Sequence, residues 1–260
     1  MSTARKLQLY LSAAHRLGSL NQRGLPFIPK LFLADPPYNR AAYNEFIGWI
    51  DQLQLGPVSQ IIDVGANHGD FSQAAHRLFP DADILLFEPL PDLQSKLEIL
   101  CRRYPNWKLN TCALGATNQK LTLHVAEGDD AVGSLVGFSD EYRATNPRSQ
   151  KNIRQVECSV RPLDEVLSEH KIQNVDLLKI DVEGFEFEVL QGASRTLAKT
   201  HAVIIEVSLT RAEKKGESPL IRLLSILQQH GFKTVNIIPS WYDPKNKWQP
   251  VEFNVLARRA

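Results

Sequence analysis

No stretch of this 260-residue chain approaches the roughly 18–20 consecutive apolar residues that a membrane-spanning helix needs, so an integral membrane protein is not expected. An excess of one charge is missing too. Thirty Lys and Arg face 29 Asp and Glu, a formal net charge of +1, and nothing in that balance calls for nucleic acid. Cysteine is sparse: Cys101, Cys112 and Cys158 stand far apart, and no pair has metal-ligand spacing. So small and odd a set fits a reducing compartment. The first 20 residues mix Arg5, Lys6, His15 and Arg16 with apolar side chains, and no signal-peptide core forms there. A cytoplasmic protein is therefore expected. Internal repeats and low-complexity tracts are absent. What remains is ordinary for a folded domain: 43% hydrophobic and 23% charged residues, enough for one large α/β unit with a generous core.

The first 56 residues read as an extension and residues 57–260 as the main domain. Between Met1 and Arg40, six basic residues face Asp35 alone, and Leu7, Leu11, Ala14 and Leu17 lie near one helical face. An accessory helix packed on the domain is the expectation. Its basic amphipathic character also suits peripheral contact with a membrane surface, although the apolar face is short. Pro26, Pro29, Pro36 and Pro37 make residues 24–38 an irregular strap. Asn39 can cap a helix from Arg40 to Leu53.

From Gln60 onward, short apolar runs alternate with amphipathic segments. Strands are expected at 60–64, 83–88, 107–112, 175–180 and 202–206. Helices are expected at 71–79, 92–103, from Phe185, and at 218–230. That alternation specifies a parallel sheet covered on both faces. The rhythm breaks in the middle, where 121–125 and 155–160 alternate like half-exposed strands. Residues 126–153 between them are polar and glycine-bearing, a candidate lid. The runs 232–238 and 252–257 flank a connector with Pro239, Pro244 and Pro250, and read as a terminal antiparallel pair.

The strongest chemical signal is Asp63-Val64-Gly65-Ala66-Asn67-His68-Gly69, where a strand ends in a glycine turn that opens a helix. In open α/β sheets such turns line the ligand crevice. Only one residue separates Asn67 from Gly69, shorter than the pyrophosphate-binding G-x-G-x-x-G, a spacing methyltransferases commonly use. Glu88 closes the next strand, 23 residues after Gly65, where a carboxylate meets ribose hydroxyls. Asp181 and Glu183 close a later strand in Lys179-Ile180-Asp181-Val182-Glu183-Gly184. If the backbone stays extended, both point the same way into the crevice. There they can accept a proton from a substrate hydroxyl or hold a cofactor ammonium, while Glu183 or Glu186 can instead cap the following helix. Glu206 ends an apolar strand and either faces the same crevice or pairs with a residue such as Lys179. Asp181, Glu183 and Glu206 are an oxygen-rich set of the kind magnesium or calcium takes. No histidine joins them at a recognised spacing, and no metal is expected. His68, beside the turn, is a further substrate-side candidate.

Together these motifs resemble the FkbM-type branch of the class I S-adenosylmethionine-dependent methyltransferases. The resemblance spans roughly residues 60 to 210 and includes Phe87-Glu88-Pro89, Ala113-Leu114-Gly115, Leu163-Asp164 and Val189-Leu190-Gln191-Gly192-Ala193. It implies a Rossmann-like α/β sandwich whose seven-stranded, mostly parallel sheet ends in an antiparallel strand. It also implies methyl transfer from S-adenosyl-L-methionine to a hydroxyl on a sugar, glycan or polyketide-like small molecule. Asp63, Gly65, Asn67, Gly69 and Glu88 would hold the cofactor, Ala113 and Leu114 would lie by its adenine, and Asp181 and Glu183 would face the reacting centre. Ser134 matches a small-residue position in the family's insert and would line the acceptor pocket. A nicotinamide-dependent oxidoreductase and a non-catalytic cofactor-binding protein are the competing readings.

Overall fold

The computed structural model describes residues 38–127, 133–137, 140–145, 152–210 and 218–259. The expected N-terminal basic helix, almost all of the strap and much of the 126–153 segment lie outside these residues. No helix among the described residues is long and apolar enough to cross a membrane.

The described residues open with α1 (Arg40–Gln52), whose cap is Asn39: its side-chain oxygen accepts the amides of Ala41 and Ala42 at 3.1 and 3.3 Å. Then come β1 (Gln60–Val64), α2 (Asp70–Leu78), β2 (Asp83–Phe87), α3 (Pro91–Arg103) and β3 (Trp107–Asn110). The third strand ends two residues earlier than expected because the chain leaves the main sheet there. Short β4 (Ala113–Leu114) joins a second, four-stranded sheet with β5 (Gln119–Ala126), β6 (Gly133–Ser134) and β7 (Ile153–Arg161), in the order β4-β7-β5-β6. A short α4 (Asp140–Thr145) lies within the segment read as a lid. After α5 (Leu163–Glu169) the main sheet resumes with β8 (Val175–Ile180), α6 (Glu186–Gln191), α7 (Ser194–Ala198), β9 (Thr200–Ser208), α8 (Pro219–Gln229), β10 (Phe232–Asp243) and β11 (Asn246–Arg259).

The seven-stranded sheet runs β10-β11-β9-β8-β1-β2-β3. Strands β3, β2, β1, β8 and β9 are mutually parallel, and β11 pairs antiparallel with both β9 and β10. The reversed strand is thus the last one in sequence, slotted inside β10. The connector expected between the terminal strands is itself mostly strand. Pro239 and Pro250 sit at or near register shifts of the hairpin, where an edge strand or a bulge tolerates a missing donor.

Alternation along each strand sorts the core into two layers. Ile62, Leu178, Val203 and Val255 pack beneath α5–α8, while Ile61, Leu177, Ile204 and Leu256 pack beneath α1–α3. Helix α1 belongs to that second layer. Ile50 and Leu53 are fully buried, and Phe46 meets Phe71 of α2 edge to face at 5.5 Å. Packing therefore shows no break at residue 56. The chain winds outward from β1 to β3, then from β8 to the other edge. This places the switch point, where ligands bind in such sheets, between β1 and β8.

Candidate active site

At that switch point β1 ends in a tight turn. Gly65 has φ +74°, and a Cβ on it would lie 1.9 Å from the carbonyl oxygen of Asp181 at the end of β8. Only glycine lets the two strand ends pass so closely. The Gly65 and Ala66 amides both donate to the Phe87 carbonyl, at 3.0 and 2.9 Å. Gly69, with φ +81°, leads into α2 against Leu100 and Leu97 of α3. The Asn67 amide donates to one oxygen of Glu88 (2.8 Å) and the Leu90 amide to the other (2.9 Å). Burial pushes the Glu88 carboxyl up to about 7, against the pull of these two amides and of Lys179. Its carboxylate lines the crevice with lone pairs to spare, and the adjacent wall is apolar, formed by Ala113 and Leu114.

Asp63, read as a cofactor contact, does not reach the crevice. It is fully buried under the turn, where it accepts from the Ser72 hydroxyl at 2.7 Å and lies 3.4 Å from Lys179 Nζ. Lys179, itself buried, lies 3.4 Å from Asp181 and donates to the Gly65 carbonyl at 2.6 Å. Burial opposes its charge, but Asp181 and Asp63 outweigh that and raise its pKa. Asp63 and Lys179 thus hold the floor beneath the glycine turn and Asp181.

The backbone does not stay extended past Asp181. Strand β8 stops at Ile180, and Glu183 turns into the left-handed region at φ +57°, followed by Gly184 at +105°. For a non-glycine residue this costs about 1–2 kcal/mol, so the turn needs support. Glu186 accepts the amides of Val182 (3.3 Å) and Gly184 (2.9 Å), and the Ser134 hydroxyl donates to the Glu183 carbonyl at 2.7 Å. Asp181 and Glu183 still both line the crevice. Glu206 joins them there and does not form an ion pair with Lys179, whose carboxylate partners are Asp63 and Asp181. Carboxylate oxygens of Asp181, Glu183 and Glu206 all lie within 4.8 Å of one another. Burial, and then the charges of Asp181, Glu252, Glu183 and Glu186, raise the Glu206 carboxyl well above the ordinary range.

Ser134, expected on the acceptor side, is fully buried behind the Glu183 turn and acts as its clamp. Ser134→Ala removes this buried hydrogen bond from the turn, a loss of about 1–3 kcal/mol. The expected fall in Tm is on the order of 5 °C for a domain of this size. An unchanged melting curve would show that the turn stands without this clamp. His68 is buried at the rim, its ring stacked on Tyr38 at 3.5 Å between centroids and its Nδ1 3.3 Å from Lys96 Nζ. The crevice, about 440 Å³, has further walls that local sequence signals do not reveal: Phe46 and Trp49 from α1, and Trp241 and Asn254 from the terminal hairpin. The Trp241 indole also donates to the Thr145 carbonyl at 3.1 Å, tying the hairpin to α4.

A mostly parallel seven-stranded sheet, a reversed last strand inside its edge and a crevice at the carboxyl ends of β1, β2 and β8 define the class I methyltransferase fold. The methyltransferase FkbM domain model matches residues 63–234, and the chain belongs to that family. S-adenosyl-L-methionine is the cofactor of this class, and the oxidoreductase reading has no support. AMB antimetabolite synthetase AmbE of Pseudomonas aeruginosa is 26% identical over 255 residues, covering 87% of this chain and 11% of AmbE. The chain thus spans only a small part of that relative. The 2-O-methyltransferase NoeI of Sinorhizobium fredii is 26% identical over 178 residues, 66% of this chain and 72% of NoeI. Methyltransferase 1 of Beauveria bassiana is 28% identical over 220 residues, 77% of this chain and 81% of its own.

Proposed function

We propose that the chain methylates a hydroxyl oxygen of a small-molecule or glycan acceptor in the crevice between β1 and β8. The observation that carries this is the meeting of Asp181, Glu183 and Glu206 within 4.8 Å, beside the glycine turn and on the same crevice as Glu88. The residues present suit the cofactor. Glu88 has acceptor capacity for two ribose hydroxyls, the Gly65-Ala66 turn brings bare backbone to the crevice wall, and Ala113 with Leu114 gives an apolar face for the adenine. When bound, S-adenosyl-L-methionine supplies an electrophilic methyl carbon.

The protein has two remaining tasks. One is to hold the acceptor oxygen in line while excluding water. Phe46, Trp49 and Trp241 suit this, because aromatic faces match the C–H faces of a sugar or a polyketide-like ring. The other is to take the hydroxyl proton, since a neutral hydroxyl is a poor nucleophile. The three carboxylates face the crevice within 4.8 Å of one another, and the proton passes to this cluster. The similarity to NoeI, a 2-O-methyltransferase, supports oxygen as the atom methylated.

The test is turnover with methyl-labelled S-adenosyl-L-methionine over a panel of hydroxylated sugars, glycans and polyketides. Asp181→Asn and Glu183→Gln should lower kcat by about 10²–10⁴ while retaining S-adenosylhomocysteine binding. Full turnover in both variants would end the assignment of proton transfer to this cluster.

A further inference from the structure

We infer that the crevice is also a divalent-cation site, with Asp181, Glu183, Glu206 and Asn254 supplying oxygen ligands to a calcium, magnesium or manganese ion. The inference rests on the methyl-transfer reading of the crevice and names what its carboxylates hold. Sheet register builds the site. Lys179 of β8 pairs with Ile204 of β9, so Asp181 and Glu206, each two residues further on, leave neighbouring strands side by side. Asn254 of β11 lies directly opposite Glu206 on the other flank of β9. Three adjacent strands thus present oxygens in a row, and Glu183 is brought in by the left-handed turn past β8.

Asn254 is the observation independent of the acidic cluster. It is only 4% exposed, lines the same crevice, and its side-chain amide makes no hydrogen bond among the described residues. Its amide keeps some contact with the open crevice, so its oxygen is available there as a ligand. Among the described residues Glu206 has one hydrogen-bond donor, the Ser240 hydroxyl at a long 3.5 Å. Lys179 shares its single charge between Asp63 and Asp181. Distances suit a hard cation. Ligands on opposite sides of calcium lie roughly 4.6–5.2 Å apart, and of magnesium about 4.2 Å. The 4.8 Å limit of the cluster fits the former as it stands and the latter after a small closure. All four donors are oxygens, the set that calcium, magnesium and manganese prefer. Four protein ligands leave coordination positions open toward the crevice, where an acceptor oxygen can bind the ion and become more acidic.

The test needs neither acceptor nor turnover. Chelator-treated full-length protein is titrated with Mn²⁺, free ion being read by electron paramagnetic resonance, with Ca²⁺ and Mg²⁺ as competitors. One saturable site is expected, weakened at least tenfold by Asn254→Ala and by Glu206→Gln. Glu206→Gln removes a repelled carboxylate, so its metal-free Tm should equal or exceed that of the unaltered protein. The rise in Tm that Mn²⁺ produces should be lost in that variant. Protein that binds S-adenosylhomocysteine but no Mn²⁺ would overturn the cation site and leave the methyl-transfer reading intact. Competitive displacement of Mn²⁺ by S-adenosylhomocysteine would also overturn it, assigning the cluster to the cofactor ammonium. Undiminished Mn²⁺ binding in both variants would place the ion elsewhere.

Discussion

Gly65→Ala should unfold this protein at a temperature lower by on the order of 10 °C, and the remaining folded protein should no longer bind S-adenosylhomocysteine. Two costs add. A side chain at φ +74° forfeits about 1–2 kcal/mol, and the new Cβ would stand 1.9 Å from the Asp181 carbonyl oxygen. Moving that contact to at least 3.0 Å displaces either the glycine turn or the end of β8. The Asp181 amide is bonded to the Val64 carbonyl at 3.1 Å, and Lys179 to the Gly65 carbonyl at 2.6 Å, so neither moves alone. The sum exceeds about 4 kcal/mol, the exceptional end of single substitutions. Gly56 is the control: a Cβ there meets nothing within 4 Å, and Gly56→Ala should change stability by no more than about 0.5 kcal/mol. Differential scanning calorimetry and titration with S-adenosylhomocysteine read both effects. A Gly65→Ala protein melting like the unaltered one would show that the strand ends tolerate separation.

That coupling explains what local sequence could and could not reveal. The glycine turn, Glu88 and the Asp181–Glu183 segment were legible because each sits at a strand-to-helix junction, where short-range pattern and the parallel-sheet rule locate the crevice. Side-chain direction was not. Strand β1 is buried on both faces, so its apolar run carries no alternation to show that Asp63 points beneath the turn. Whether the backbone at Glu183 stays extended is left open by local pattern, and the neighbouring Gly184 is a local hint of the reversal. The remaining walls come from remote parts of the chain. Trp49 arrives on α1, whose apolar stripe was visible but whose docking partner was not. Trp241 and Asn254 lie on a hairpin whose prolines read as turn. Pro239 is accommodated on β10 because that strand is the sheet edge, and Pro250 precedes the β9 pairing, which begins at Glu252. Of the second sheet only β5 and β7 show in the alternation of 121–125 and 155–160; the two-residue strands β4 and β6 have no period of their own.

Cofactor affinity should depend on pH through Glu88, and the sign follows from its burial. In the free protein this carboxyl titrates at about 7, above its ordinary 4.5. Ionising it in the folded state therefore costs stability, on the order of 1.4 kcal/mol per pH unit. Its contribution makes the free protein less stable as pH rises from about 4.5 to about 7, and is level on either side. Ribose hydroxyls donate to the ionised form, so binding lowers the Glu88 pKa and releases a proton below pH 7. The Kd for S-adenosylhomocysteine should weaken by up to about tenfold per unit as pH falls from 7 toward 5, and stay flat above 8. Calorimetry in buffers of different ionisation enthalpy should detect the released proton near pH 6 and none near pH 8.5. Glu88→Gln removes the titrating group and turns one acceptor into a donor facing the Asn67 or Leu90 amide. Affinity in that variant should drop on the order of a hundredfold at pH 8, since hydrogen bonds to a charged group contribute about 1.5–3 kcal/mol each. Its pH slope should vanish. A slope that survives in Glu88→Gln would move the titration to another crevice carboxylate, and a flat profile in the unaltered protein would mean that Glu88 does not carry the ribose.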